Sequence, residues 1–256
     1  MGVVDGMTNT MYHSRSGVSS TAVKTVLKSS VAHWKGQRRV ETPAFLEGSA
    51  IHALLLEEYR NLVIKGPKTK QSKAFTEMEA TLEEDQMLLT EAQYNKVQRI
   101  AKGALSNPVS KAALRHKERL NEQSIFVQCP RTSLSLQARP DLAILREKTL
   151  YDVKSAQDGS PKGFSSAVQT YMYDVQAAFY LYVCKISGWD VDTFKFIAVE
   201  KNAPYVCQMH VVSPELLAHA TERMYRGLDI IAAAEASQDF GTGWGDCNTL
   251  ELPKWL

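Results

Sequence analysis

Arg139-Pro140-Asp141 is followed, eleven positions after its carboxylate, by Asp152-Val153-Lys154. Between them Glu147-Lys148 reads as a tight turn joining two strands. Residues two apart on a strand face the same side, so Asp152 and Lys154 project together. A hairpin would set Asp141 beside them. Carboxylates crowded into a small volume repel each other, and a hard divalent cation with oxygen ligands relieves that repulsion. Water bound to such a cation becomes a nucleophile, and a nearby lysine can position it and stabilise anionic charge. Magnesium with this donor set is the equipment for hydrolysing a phosphodiester.

The surrounding pattern predicts the elements that hold these residues. Residues 1–18 are polar and read as a flexible N-terminus. Ser19 or Ser20 caps a helix carrying Val23, Val26 and Leu27 at helical spacing. Thr42-Pro43 opens a strong helix from Ala44 to Glu58. Residues 60–73, broken by Gly66-Pro67, read as a loop. Helical spacing returns at 74–88 and, after a Thr90 cap, at 91–105; a short helix follows Asn107-Pro108.

Strands are expected at Ser124 to Gln128, Ser133 to Ala138, Leu142 to Leu145 and Leu150 to Val153. A helix opening at Ser160-Pro161 precedes another from Asp174 to Ile186, which stops at Gly188. Strands Thr193 to Val199 and Tyr205 to Val212 flank a turn at Asn202-Ala203-Pro204. Ser213-Pro214 starts a last helix reaching about Ala236, and 237–256 reads as an irregular tail. The order predicts an α/β (α+β) fold: one domain over 19–236, mainly helical over 19–119, with its catalytic core at 120–236.

Pro140-Asp141, ten residues, then Asp152-Val153-Lys154 resembles the PD-(D/E)xK nuclease superfamily. Gln176-Ala177-Ala178-Phe179-Tyr180 resembles the QxxxY motif of its RecB-like branch, and Gly48 to Leu56 resembles the upstream segment that carries an extra histidine. Ala138 to Leu142 and Tyr173 to Tyr180 look most like RecE-type exonucleases (exonuclease VIII) and their phage relatives. This sequence has Asp152 where many relatives carry Glu, and Ser155 where Thr is frequent.

The resemblance implies a restriction-endonuclease-like core, a central mixed sheet flanked by helices. It implies that Asp141, Asp152, the Val153 carbonyl, His52 and Glu122 bind one or two Mg²⁺ ions, with Mn²⁺ able to substitute. Lys154 would be the catalytic lysine, with Gln176 and Tyr180 lining the active site. On its own, His52 among Ile51, Leu54, Leu55 and Leu56 would read as a core histidine. The resemblance further implies a 5′→3′ exonuclease on linear double-stranded DNA that leaves 3′ single-stranded tails. Its expected partner is a RecT-like single-strand annealing recombinase, and its expected assembly is a ring-shaped homo-oligomer, a tetramer, in the cytoplasm of a bacterial host.

Composition limits the alternatives. With 256 residues, 44% hydrophobic and 23% charged, the chain is neither disordered nor a disulfide miniprotein. It has no apolar run of about 20 residues that would span a membrane, and its N-terminus lacks a secretory signal pattern. Cys129, Cys184, Cys207 and Cys247 form no CxxC pair, which argues against a zinc or redox motif and against a Cas4-like iron–sulfur nuclease. Another endonuclease of the fold, or a non-catalytic DNA-binding module, remains as an alternative. The net charge is only +2, but residues 1–73 hold 11 basic and 5 acidic residues, whereas 202–256 hold 3 and 7. Lys35, Arg38, Arg39, Lys68, Lys70 and Lys73 are therefore candidate phosphate contacts, with Lys65 in the same loop, and Arg139 is another because it stands beside Asp141. Trp34 could stack on a DNA end or pack in the core.

Overall fold

The computed structural model describes residues 2–38, 42–57, 60–245, 247 and 249. The chain opens with β1 (Gly2–Val4), α1 (Asn9–Ser14), α2 (Ser20–Lys28), α3 (Val31–Gly36) and α4 (Pro43–Leu56). Next come β2 (Val63–Lys65), α5 (Lys73–Glu79), β3 (Met87–Leu89), α6 (Glu91–Ser106) and α7 (Pro108–Leu114). The strand-rich part follows as β4 (Leu120–Asn121), β5 (Ser124–Gln128), β6 (Ser135–Ala138), β7 (Leu142–Ile144) and β8 (Thr149–Ala156). It ends with α8 (Pro161–Tyr171), α9 (Tyr173–Ile186), β9 (Thr193–Glu200), β10 (Cys207–Val211) and α10 (Pro214–Ser237).

Five strands form the central sheet in the order β10-β9-β8-β7-β4. β8 and β9 run parallel and the other pairs antiparallel, so the sheet is mixed, as expected. Strand alternation divides the core into two layers. Leu150, Phe194 and Phe196 pack with α2, α8, α9 and α10 on one face. Tyr151, Val153, Ile197 and Val199 pack with α4, α6 and α7 on the other. Helix α10 lies so close to α2 that a Cβ on Gly227 would come within 2.7 Å of Val23, so only glycine fits there.

The helix starts follow the capping residues. Ser19, Thr42, Thr90, Ser160 and Ser213 each accept a hydrogen bond from a backbone N–H in the first turn. Differences arise where pairing is non-local. Within the expected loop 60–73, Val63–Lys65 pairs in parallel with Met87–Leu89, so the helix expected over 74–88 ends at Glu79. Two apolar triplets this far apart carry no periodicity that reveals their pairing. β8 runs on to Ala156 because β9 pairs with it along its whole length. Ser133 takes φ 59, a turn conformation, so β6 starts only at Ser135.

Residues 2–14 differ from the flexible segment expected of them. β1 adds to β5, and with β6 makes a second, three-stranded sheet. Thr8 caps α1 and donates to Glu84, while the Asn9 N–H donates to Asp85 at 2.8 Å. The expected tail 237–256 lies largely outside the described residues; its described part begins where α10 ends at Ser237. Among the described residues, no helix is long and apolar enough to cross a membrane.

Candidate metal centre

β7 and β8 are the predicted hairpin, with Leu142 paired to Tyr151. That register brings Asp141 to the start of Val153, whose N–H donates to Asp141 Oδ2 at 2.7 Å. Glu122 follows β4 in a left-handed conformation, φ 48, and its N–H donates to the Asp141 carbonyl at 3.1 Å. The bend turns the Glu122 carboxylate toward Asp141. His52 comes from α4, whose C-terminal end is pinned where Asn121 Nδ2 donates to the Leu56 carbonyl at 2.6 Å. Its Nδ1 lies 3.5 Å from Asp141 Oδ2 and 3.9 Å from Glu122 Oε1.

One atom each of His52, Glu122 and Asp141 lies within 4.8 Å of the others, a cluster able to hold a metal ion. Among the described residues no other His, Cys, Asp and Glu group converges in this way. Two carboxylates and an imidazole fit a divalent cation. Burial and the Asp152 charge push the Asp141 carboxyl well above the usual carboxylate range. Burial alone would lower His52, but Asp141 and Glu122 outweigh it and raise the imidazole to about 9. Such a pocket demands positive charge, from a proton or from a cation. His52 Nε2 lies 2.9 Å from the Val153 carbonyl, so that expected ligand is here a partner of the histidine.

Asp152 faces α9, on the side opposite Val153. It is 1% exposed; Gln176 Nε2 donates to its Oδ1 at 2.8 Å and the Lys154 ammonium pairs with its Oδ2. Asp152 therefore turns toward Lys154 and Gln176 and stands outside the three-residue cluster, close enough to raise Asp141. Asp152 and the neighbouring Asp141 charge hold the Lys154 ammonium up against the burial that would discharge it. Gln176 and Tyr180, four apart on α9, line the same cleft of about 1130 Å³ as His52, Glu122, Asp141, Asp152 and Lys154. Burial raises the Tyr180 hydroxyl far above its ordinary range and keeps it neutral.

The candidate phosphate contacts are scattered. Lys35 pairs with Glu235 at 2.6 Å, Lys65 with Glu91 at 2.7 Å and Lys73 with Glu77 at 3.4 Å. Arg38, Lys68 and Lys70 are exposed, and only Lys70 of these lines the cleft; Arg39 lies outside the described residues. Trp34 is half-buried and packs against the core.

Arg139 also borders the cleft, but its guanidinium donates to Ser124 Oγ and to the carbonyls of Met7 and Thr8, and lies over the Tyr12 ring. It ties the N-terminal segment to the sheet. Arg139→Ala is expected to cost about 1.5–3 kcal/mol, in the range of charge-assisted hydrogen bonds. Amide exchange over residues 2–14 should accelerate; unchanged protection there would refute this tie. Tyr12 and Tyr173 also line the cleft, and apart from the motif that contains Tyr173 neither carries a signal in the sequence that marks it.

Over residues 19–253 the chain matches the family described as a PDDEXK-like domain of unknown function (DUF3799). The chain belongs to this family. The match agrees with the PD-(D/E)xK resemblance carried by Pro140-Asp141 and Asp152-Val153-Lys154, and it names no substrate. Among solved structures, this DUF3799 chain is similar to a protein from Eubacterium rectale described as a candidate exonuclease. They share 13% identity and a TM-score of 0.61, over 91% of this chain and 88% of that one. At that identity the likeness shows the fold alone. A phage-related exonuclease from Haemophilus somnus 129PT aligns over 90% of this chain and 100% of its own, at 10% identity and a TM-score of 0.41. No curated protein matches the chain. Fold, family and donor cluster together make this a candidate PD-(D/E)xK nuclease centre with the means to hold a divalent cation.

Proposed function

We propose that this protein is a Mg²⁺-dependent exodeoxyribonuclease that digests one strand of linear duplex DNA from its 5′ end. The observation that carries the nuclease reading is the meeting, in one cleft, of the His52-Glu122-Asp141 cluster with the Asp152-Lys154 pair. A cation held by Asp141, Glu122 and His52, and by Asp152 if its carboxylate swings across, would polarise a phosphate oxygen and acidify water. Lys154 donates hydrogen bonds to the attacking water or to a non-bridging phosphate oxygen, where negative charge grows in the transition state. Gln176 fixes the Asp152 carboxylate, and Asp152 in turn fixes Lys154. The neutral Tyr180 hydroxyl offers a donor on the same wall.

The motif resemblance to RecE-type enzymes supports the finer reading: 5′→3′ polarity, 3′ tails, a RecT-like annealing partner and a ring-shaped tetramer. The deciding experiment is digestion of linear and covalently closed duplex DNA with Mg²⁺ or Mn²⁺, using 5′ or 3′ end labels. Linear DNA should be degraded with early release of the 5′ label and closed circles left intact. Cutting of circles would replace the exonuclease with an endonuclease of the same fold. No digestion of any DNA with either cation would remove the nuclease reading. Light scattering of the purified protein reads the assembly, and a mass of one chain would remove the ring.

A further inference from the structure

The junction of α8 and α9 carries a feature that the metal centre does not use. Met172 takes a left-handed conformation, φ 53, and turns the chain between the two helices. The turn stacks Tyr171 on Tyr173, with ring centroids 5.5 Å apart and planes 28° apart. Tyr173 lines the cleft, and Lys154 Nζ lies 4.8 Å from its ring centroid. Tyr171 is 58% exposed, so its ring gains little from burial and one face is open to solvent.

A second ammonium reaches the same ring. Lys24 of α2 places Nζ 5.9 Å from the Tyr173 centroid. Its neighbouring carboxylates are already engaged, Asp152 by Lys154 and Asp174 by Arg223 at 2.8 Å. Lys24 makes no ion pair or hydrogen bond of its own among the described residues. Burial, helped by the Lys154 charge, pulls it down to about 8. A half-buried cation whose nearby carboxylates, Asp152 and Asp174, are each held by another cation is poorly compensated in the free protein. A bound phosphate would supply the missing charge, and a base has an open aromatic face beside it.

We propose that Lys24, Tyr173 and Tyr171 form a nucleotide subsite next to the metal centre. A phosphate of the DNA strand adjoining the scissile one sits on Lys24, and the base stacks on the exposed face of Tyr171. Tyr173 joins the two, holding Tyr171 by stacking and both lysines by cation–π attraction. Every base has a π-face, so this grip is tolerant of sequence, as digestion of DNA of any sequence requires. The proposal rests on the nuclease reading and deepens it.

The test is fluorescence anisotropy with a short fluorescein-labelled oligothymidylate, with Ca²⁺ in place of Mg²⁺. The wild-type chain is compared with Lys24→Met, Tyr171→Ala and, as a control on the exposed face of α7, Lys111→Met. Lys24→Met should weaken binding about tenfold at low salt and flatten the dependence of log affinity on log salt by about 0.7, one single-strand phosphate contact. Tyr171→Ala should weaken binding about 5- to 160-fold with the salt slope unchanged. Lys111→Met should match wild type. The melting temperature of Lys24→Met should equal or exceed that of wild type, because an unpaired cation has been removed. Wild-type affinity and slope in both Lys24→Met and Tyr171→Ala would overturn the subsite and leave the nuclease reading standing. So would a lower melting temperature for Lys24→Met with unchanged binding, which would make that lysine structural. Wild type that binds no oligonucleotide would also overturn the subsite, while the nuclease reading stands or falls on the digestion of duplex DNA.

Discussion

Lys154→Met is expected to lower phosphodiester hydrolysis by about 10³-fold or more, with Mg²⁺ saturating. The figure combines the usual yields of a positioned proton donor and of one preorganised charge at the transition state. The geometry argues for the full effect. Lys154 is held by Asp152 below and the Tyr173 ring beside it, so its ammonium is fixed before substrate arrives. Among the described residues the other lysine lining the cleft is Lys70, in the loop after β2; Lys24 lies near Asp152 and Tyr173 but does not line the cleft. The same variant leaves Asp152 buried without its counter-charge, which costs about 3–5 kcal/mol. Loss of rate could then be confused with loss of fold. Asp152→Asn combined with Lys154→Met removes both charges and should recover much of the melting temperature without recovering the rate. A single Lys154→Met protein that digests DNA at the wild-type rate would show that the lysine has no part in the chemistry.

How far the site could be read from sequence follows from how local its parts are. Asp141, Asp152 and Lys154 sit on one hairpin, so strand alternation and a short turn were enough to bring them together. Gln176 and Tyr180 share a helix face at a spacing that fixes their direction. His52 is different. It meets the Val153 carbonyl across 101 positions, and periodicity alone placed it among core leucines. Only the family resemblance named it. The β2–β3 pair and the docking of β1 on β5 are non-local too, and neither short segment has a period that announces its partner. Charge is a coarser signal. The excess of basic residues in the first 73 positions suggests a phosphate-binding face, and within it Lys35, Lys65 and Lys73 are paired with acidic neighbours. The cation from that stretch that approaches Lys154 and Tyr173 is Lys24, which sequence reading passed over.

Asp141→Asn should move stability in opposite directions with and without a divalent cation. In the metal-free protein, burial and Asp152 raise the folded-state pKa of Asp141 above its unfolded value, and its carboxylate neighbours raise that of His52. Groups raised on folding contribute stability that is fully present below their unfolded pKa values and is lost as pH rises through the folded ones. This centre's contribution to the metal-free wild type therefore declines from about pH 4, an ordinary carboxylate value, toward the His52 value of about 9. An asparagine at 141 can still accept the Val153 N–H, but it does not repel Asp152 or Glu122. Above neutral pH the metal-free variant should match or exceed wild type, with its advantage growing as pH rises from 4 to 7. Mn²⁺ at about a hundred times its dissociation constant should stabilise wild type by about 2.7 kcal/mol, or about 5–10 °C for a chain of this size. The variant has lost a ligand from the His52-Glu122-Asp141 cluster and should show little of that shift. His52→Ala sharpens the reading: a ligand histidine predicts a smaller Mn²⁺ shift, whereas a core histidine predicts a lower melting temperature with the shift intact. Equal Mn²⁺ shifts in wild type and Asp141→Asn would show that the cluster is not where the cation binds.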